Sequence, residues 1–173
     1  METMVEERPN YLQIMNRMLV SPGQFFRDTL GYVDLRRALG FLILSSLFFT
    51  LAKLSLIQQD YLKLSVINFL NSLFMPALCA GTGYALLKWF SDREIRFNRL
   101  FAVYALSSGL MMLMSWIPLF LWITEPWKWF LVGLGLVKGC GLSRRQTLLV
   151  IILSIFLIVL VFWSINKIIF LLR

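Results

Sequence analysis

Long apolar runs, separated by short charged clusters, fill the chain from Leu35 to Leu172. A helix of about twenty apolar residues matches the thickness of a bilayer core. Because a backbone in hydrocarbon must satisfy its own hydrogen bonds, such runs form spanning helices. The pattern predicts an all-α integral membrane protein with five transmembrane helices, the fourth of them short. The predicted spans are residues 37–57, 64–90, 100–123, 126–138 and 147–171.

The turn between the third and fourth spans has two candidate positions. From residue 101 to 137 the only charged residues are Glu125 and Lys128. One helix over this stretch would exceed about 50 Å at its rise per residue, so the chain must turn. The sequence favours a turn at residues 124–126, with Pro118 as a kink or an alternative turn. The fourth span would then be about 20 Å long, and would either cross the membrane fully or re-enter it.

Residues 1–36 are predicted to form a cytoplasmic, amphipathic N-terminal segment. Apolar residues recur there at the spacing of a short amphipathic helix. Ser21 and Pro22 are typical of the first residues of a second short helix, on which Phe25 and Phe26 form an apolar side. Both helices could lie in the membrane interface or pack against the bundle, and the pattern does not choose between these. The apolar residues of the first helix are Tyr11, Ile14, Met15, Met18 and Leu19.

Proline and glycine indicate where the helices bend and approach one another. Pro76 lies inside the second span, where a missing N–H and a steric clash predict a kink. Small residues allow helices to approach closely, so Gly81 and Gly83 are expected to pack against another helix. Gly135 and Gly139 have the same role in the fourth span, because their spacing puts them on one face.

Composition and charge agree with a membrane protein and exclude several other classes. Hydrophobic residues make up 59% of the 173 residues, and the mean hydropathy is +0.76. The net charge of +8 would suggest nucleic acid in a soluble protein, but here the basic residues lie between apolar runs. No nucleic-acid partner is therefore expected. Cys79 and Cys140 lack metal-ligand spacing and no histidine is present, so we expect two free thiols, no metal and no cofactor.

Enzymatic activity is also not expected. Catalysis requires positioned acids, bases or nucleophiles, and the predicted spans contain no Asp, Glu or His. Asp60 and Glu125 fall at the external rim, without a basic or nucleophilic partner that the sequence makes evident.

The distribution of Lys and Arg predicts the orientation. Of the 17 such residues, 12 fall on the side of the N-terminus and five on the opposite side. Since cytoplasmic segments carry the excess of positive charge, the N-terminus is predicted to be cytoplasmic and the C-terminus external. Two arginine pairs at the cytoplasmic ends of spans either serve only as topology signals or contact anionic headgroups or a partner. They are Arg36, Arg37, Arg144 and Arg145.

Polar residues form a stripe on each of the first two spans. The two stripes lie toward the external side and could face each other. They allow a seam of interhelical hydrogen bonds, with the Lys53 side chain reaching out to the interface. They also allow a small hydrated cavity for a headgroup or polar solute, with Lys53 as its cation. The stripe residues are Ser46, Thr50 and Lys53 on span one, and Asn68, Asn71, Ser72 and Thr82 on span two.

Four short motifs resemble the Yip-domain family of membrane proteins, which is named for interaction with Ypt/Rab-type GTPases. They are Ser21-Pro22-x-x-Phe25-Phe26, Leu35-Arg36-Arg37-Ala38-Leu39, the Trp-rich stretch from Trp127 to Gly135, and Gly141-Leu142-Ser143-Arg144-Arg145. The resemblance implies five spans with a cytoplasmic N-terminus, and a trafficking role in eukaryotic members. This sequence lacks a Pro/Gln-rich N-terminal tail and an acidic Leu-Tyr-Gly-Pro motif, so it resembles the bacterial members and GTPase binding is not expected. The resemblance to bacterial members implies a location in the bacterial inner membrane.

Two functions follow as expectations. The first is a non-enzymatic organiser or accessory subunit that associates with anionic lipid headgroups at the cytoplasmic face, with other membrane proteins or with its own copies. The second is a small transporter or channel subunit that handles a lipid headgroup or polar solute. A solvent-reaching cavity lined by the polar stripes would favour the second, whereas a closed core with a groove at the inner face would favour the first.

Overall fold

The computed structural model describes residues 9–54, 61–90 and 95–171, and every regular element in these ranges is helical. The all-α prediction is confirmed. The α-helices are α1 (Tyr11–Val20), α2 (Pro22–Gln24), α3 (Leu35–Leu54), α4 (Tyr61–Phe90), α5 (Phe97–Met112), α6 (Leu121–Leu134) and α7 (Arg144–Leu171). A π-helical turn (Phe25–Thr29) and a 3₁₀ turn (Leu30–Tyr32) follow α2, another 3₁₀ turn (Pro118–Phe120) precedes α6, and a second π-helical turn (Gly135–Gly139) follows it.

Helix α5 is the centre of the bundle. Every residue from Leu100 to Met111 is buried, and α5 packs against α3, α4 and α6. A helix that is apolar on all sides must be covered by lipid or by other helices, and α5 is covered by helices. Gly109 brings α5 close to α3, because a Cβ atom at this position would lie 2.8 Å from the Phe41 ring.

The outer surfaces of α3, α4 and α7 are apolar. Large side chains such as Leu51, Phe74 and Phe156 are exposed on them. An apolar surface of this extent is unusual on a soluble protein and is what a lipid-facing surface requires. Among the described residues, two helices are long and apolar enough to cross a membrane, Leu35–Leu54 and Leu62–Trp89.

The N-terminal segment packs against the bundle, which is one of the two arrangements that the sequence allowed. Helix α1 forms as predicted, and its Ile14 and Met18 side chains are fully buried. The Tyr11 ring lies 6.2 Å from that of Phe41 in α3. The apolar stripe of α1 therefore faces protein rather than lipid. As predicted, Pro22 is the first residue of the next helix.

The preferred turn between the third and fourth spans was wrong. Helix α5 ends at Met112, and the chain turns over residues 113–120, around the alternative position Pro118. Pro118 begins a 3₁₀ turn. The first N–H of a helical turn has no acceptor within it, so proline costs no hydrogen bond at this position. Pro126 instead lies inside α6. With its π-helical turn, α6 extends over residues 121–139, so the fourth helix is longer than expected and the third is shorter.

Three of the four glycines expected at helix contacts lie at close approaches. A Cβ atom at Gly83 would be 3.2 Å from the Tyr104 hydroxyl, one at Gly135 would overlap Val103, and one at Gly139 would overlap Leu30. Gly81 differs, since nothing lies within 4 Å of its Cβ position. Two residues correspond to about 200° of helical rotation, so Gly81 and Gly83 cannot share a face. Pro76 lies within the continuous helix α4, and the kink there stays a prediction.

Candidate ligand-binding cavity

Four residues of the predicted polar stripes line one cavity of about 390 Å³. They are Lys53 near the end of α3, and Asn68, Asn71 and Ser72 in the first half of α4. The end of α5, the start of α6 and the middle of α7 complete the wall. The cavity therefore lies toward the ends of the helices that are predicted to be external. Its other lining residues are Phe49, Met75, Cys79, Met112, Ser115, Glu125, Lys128, Trp129, Ile155 and Val159.

The other three stripe residues do not line this cavity. Ser46 is fully buried against α5, with its hydroxyl 3.5 Å from the Met112 sulfur. Thr50 is also buried, and its hydroxyl has no hydrogen-bond partner among the described residues. Thr82 donates a hydrogen bond to the Leu78 carbonyl one turn earlier in α4. It lies ten residues beyond Ser72, which is about 15 Å farther along the helix.

The charges in the cavity leave an excess of one positive charge. The Lys128 ammonium lies 2.6 Å from a Glu125 carboxylate oxygen, so these two form an ion pair. Lys53 has no carboxylate within ion-pair distance in the described parts of the chain. Its ammonium lies 4.4 Å from the centre of the Phe49 ring, a contact worth about 0.5–2 kcal/mol. Lys53 is thus held at the wall by an aromatic face, and no carboxylate of the described residues competes for its ammonium.

A second, smaller cavity of about 80 Å³ adjoins the first and shares Glu125 and Lys128 with it. Its remaining polar lining includes Tyr104, Ser108 and Thr124, all buried. At about 30 Å³ per molecule in the liquid, this volume corresponds to two or three waters. The Tyr104 hydroxyl is buried without a hydrogen-bond partner in the described residues, so this part of the bundle has unused hydrogen-bonding capacity.

Sequence reasoning missed the Glu125–Lys128 pair. With a turn placed at residues 124–126, Glu125 was expected to have no basic partner nearby. In α6 the two residues are three positions apart, which puts them on one face of the helix. The spacing of three is evident in the sequence, but it predicts an ion pair only if both residues lie in one helix, and the sequence did not show that a helix begins before Glu125.

The four arginines predicted at the cytoplasmic side have different environments. Arg36, Arg144 and Arg145 are exposed. Arg37 is partly buried and donates a hydrogen bond of 3.1 Å to the Pro9 carbonyl, so it attaches the start of the N-terminal segment to α3. Three of the four side chains are therefore free to meet a headgroup or a partner.

Both cysteines are free thiols, as predicted. Cys79 lines both cavities within α4, whereas Cys140 lies in the turn before α7. Burial raises the pKa of the Cys140 thiol to about 11. Because the thiolate is the reactive form, Cys140 is protonated and inert at neutral pH.

The Yip1 domain model matches residues 16–165, which is most of the chain. The chain belongs to the Yip1 domain family. The match includes both cavities and all residues that line them. No curated protein and no solved structure matches the chain.

Two of the motifs that carry the family resemblance contact each other in this Yip1 domain. A Cβ atom at Gly135 would lie 3.1 Å from the Phe26 ring, and one at Gly139 would lie 3.2 Å from the Phe26 carbonyl oxygen. The Phe25-Phe26 motif therefore packs against the end of the Trp-rich stretch. Family membership together with the apolar helices indicates an integral membrane protein with a membrane-associated role.

Proposed function

We propose that this Yip1 domain protein acts by binding the anionic headgroup of a membrane lipid in the cavity around Lys53, as an organiser or accessory subunit. The observation that carries this proposal is the position of Lys53. A cation without a carboxylate partner among the described residues lies in one cavity with two asparagines. A pure packing seam would bring these side chains into contact with each other rather than leave about 390 Å³ between them.

The lining matches the chemistry of a phosphate group. An ammonium supplies charge, and the Asn68 and Asn71 amides each supply N–H donors. Cavities that bind small molecules are typically about 300–1,000 Å³, so this one suits a headgroup and not two acyl chains. The acyl chains would run along the apolar outer surface of the bundle. Ile155 and Val159 provide an apolar side of the cavity in that direction.

A small transporter is the second candidate. Two observations favour it: the cavity lined by the polar stripes, which is the feature expected of a transporter, and the adjoining 80 Å³ cavity, which continues the polar lining as far as the buried Tyr104. A transporter would move its ligand across reconstituted vesicles, whereas an organiser or accessory subunit would bind the ligand without flux. Measuring flux in proteoliposomes separates the two functions.

The cytoplasmic face supplies a second kind of lipid contact in this proposal. Arg36, Arg144 and Arg145 would meet anionic headgroups of the inner leaflet, at about 1 kcal/mol for each basic residue near the surface. The protein would lie in a bacterial inner membrane with five spans, and it could also associate with other membrane proteins or with itself.

The predicted orientation in the membrane can be tested directly by labelling single cysteines. In a variant without native cysteines, a cysteine at Leu119 should react with an impermeant maleimide added outside the cell. A cysteine at Gln24 should react only after the cells are permeabilised. Both positions are exposed, at opposite ends of the bundle. The reverse pattern would contradict a cytoplasmic N-terminus and would place the cavity on the cytoplasmic side.

Replacing Lys53 by methionine should abolish headgroup binding while the protein still folds. Methionine retains much of the aliphatic volume and removes the charge. Native mass spectrometry of the protein in a neutral detergent would measure bound phosphatidylglycerol. Lys63→Met is the matched control, because Lys63 is an exposed cation on α4 outside the cavity. Equal lipid binding by Lys53→Met and wild type would overturn the proposed function.

A further inference from the structure

We infer that the Glu125 carboxylate competes with the ligand's anionic group for the Lys128 ammonium. Glu125 binds Lys128 until a phosphate or phosphodiester displaces it. This inference rests on the proposed function. It adds a second cation, Lys128, to the binding site. It also names the residue that sets how strongly anionic a ligand must be to bind.

The geometry supplies the competing contact. The Glu125 carboxylate and the Lys128 ammonium are 2.6 Å apart, and both side chains line the large cavity that also contains Lys53. An anion in this cavity therefore meets one cation without a carboxylate partner and one that already has a carboxylate. To bind both ammonium groups, it must take the place of Glu125 on Lys128.

The two partners of the ion pair differ in their access to solvent. The Glu125 side chain is 51% exposed, whereas the Lys128 side chain is 22% exposed and lies with its ammonium 5.3 Å from the Trp129 ring centre. Glu125 can exchange Lys128 for water without burying an unpaired charge. Lys128 is the more buried of the two, and its ammonium lies against the Trp129 ring, so it stays in the cavity wall. The exchange therefore moves Glu125 outward and leaves Lys128 for the ligand.

The simpler explanation is a structural ion pair on the helix surface. Pairs at this spacing stabilise helices slightly, whatever surrounds them. A purely structural pair would have no effect on ligand affinity. A competitor would lower the affinity for an anion, because its bond to Lys128 must break first and because its charge repels the ligand. Measuring affinity together with stability distinguishes the two roles.

The test compares Glu125→Gln with wild type in a neutral detergent, with three separate ligands: short-chain phosphatidylglycerol, short-chain phosphatidylethanolamine and inorganic phosphate. Since an exposed ion pair is worth up to about 1 kcal/mol, Glu125→Gln should bind the anion about fivefold more tightly. Asp28→Asn is the matched control. It removes the same charge from an exposed position outside this cavity and should leave affinity unchanged. Tighter binding of inorganic phosphate alone would support the competitor and identify free phosphate as the ligand.

A double variant shows whether the gain depends on Lys128. The gain in affinity caused by Glu125→Gln should disappear when Lys128 is also replaced by glutamine, because no ammonium is then left for the anion to bind at this position. If Glu125→Gln melts at the wild-type temperature but binds the anion no more tightly than wild type does, the inference is wrong. Weaker binding of phosphatidylethanolamine in particular would show that Glu125 contacts a ligand amine.

The same measurements separate this inference from the proposed function. If wild type binds the anion and Lys53→Met does not, the proposed function stands whatever Glu125→Gln does. If neither wild type nor Glu125→Gln binds any of the three ligands, both the proposed function and the role of Glu125 are wrong.

Discussion

Replacing Gly135 by leucine is expected to lower the free energy of unfolding by about 3 kcal/mol, the upper end of the usual cost of overpacking. A Cβ atom there already overlaps Val103 and lies 3.1 Å from the Phe26 ring. Neither neighbour can move easily, because both are fully buried and valine is restricted at χ1. Thermal unfolding in detergent, followed by circular dichroism, measures the change.

Gly81→Leu is the control for this prediction. Nothing lies within 4 Å of the Cβ position of Gly81, so the leucine meets no obstacle near the backbone. Replacing glycine in a helix should even stabilise it, by up to about 1 kcal/mol. If Gly135→Leu melted at or above the wild-type temperature, the close contact of the π-helical turn after α6 with α5 and the N-terminal segment would be refuted.

Replacing Ile14 by aspartate should release α1 from the bundle. Ile14 is 0% exposed, and an aspartate there would bury a charge without a partner, at a cost of several kcal/mol. Undocking α1 avoids this cost, so the expected result is rapid tryptic cleavage at Arg17 together with a lower melting temperature. Wild-type protein should be cleaved slowly there, since its α1 is docked.

Leu12→Asp is the matched variant on the same helix. Leu12 is 70% exposed, so its replacement should leave α1 docked and cleavage at Arg17 slow. The pair of variants shows whether release of α1 depends on the side chain that is buried. If the two aspartate variants were cleaved at the same rate, the docking of Ile14 against the bundle would be refuted.

The long apolar runs predicted α3, α4 and α7 because length and hydropathy are properties of each run alone. The turn before α6 was not predictable in the same way. Pro118 and Pro126 both disfavour a continuous helix, and the choice between them depends on what each side of the helix contacts. Helical periodicity likewise placed Lys53, Asn68 and Asn71 on adjacent faces. It could not show whether those faces touch or enclose a volume, which depends on how α5 and α6 pack against them.

The glycines show the same limit on a smaller scale. Composition identified the cluster around Gly81 and Gly83 as suitable for close packing. Only the rotation of α4 about its axis decides that Gly83 faces Tyr104 while Gly81 has open space. Gly109, which brings α3 and α5 together, was not singled out, although Ala105 precedes it at the small-xxx-small spacing and was a usable signal.

The contact between the Phe25-Phe26 motif and the second π-helical turn has a consequence for synthesis. The chain is made from its N-terminus, and Phe26 meets Gly135 and Gly139 more than a hundred residues later in the sequence. The first helices to emerge from the ribosome therefore cannot complete their packing until about four-fifths of the chain has been made. Until then, two phenylalanines that end up buried have only the membrane interface or a chaperone to cover them. Assembly of this small protein is thus governed by its most distant contact, and insertion of each span in turn does not finish the fold.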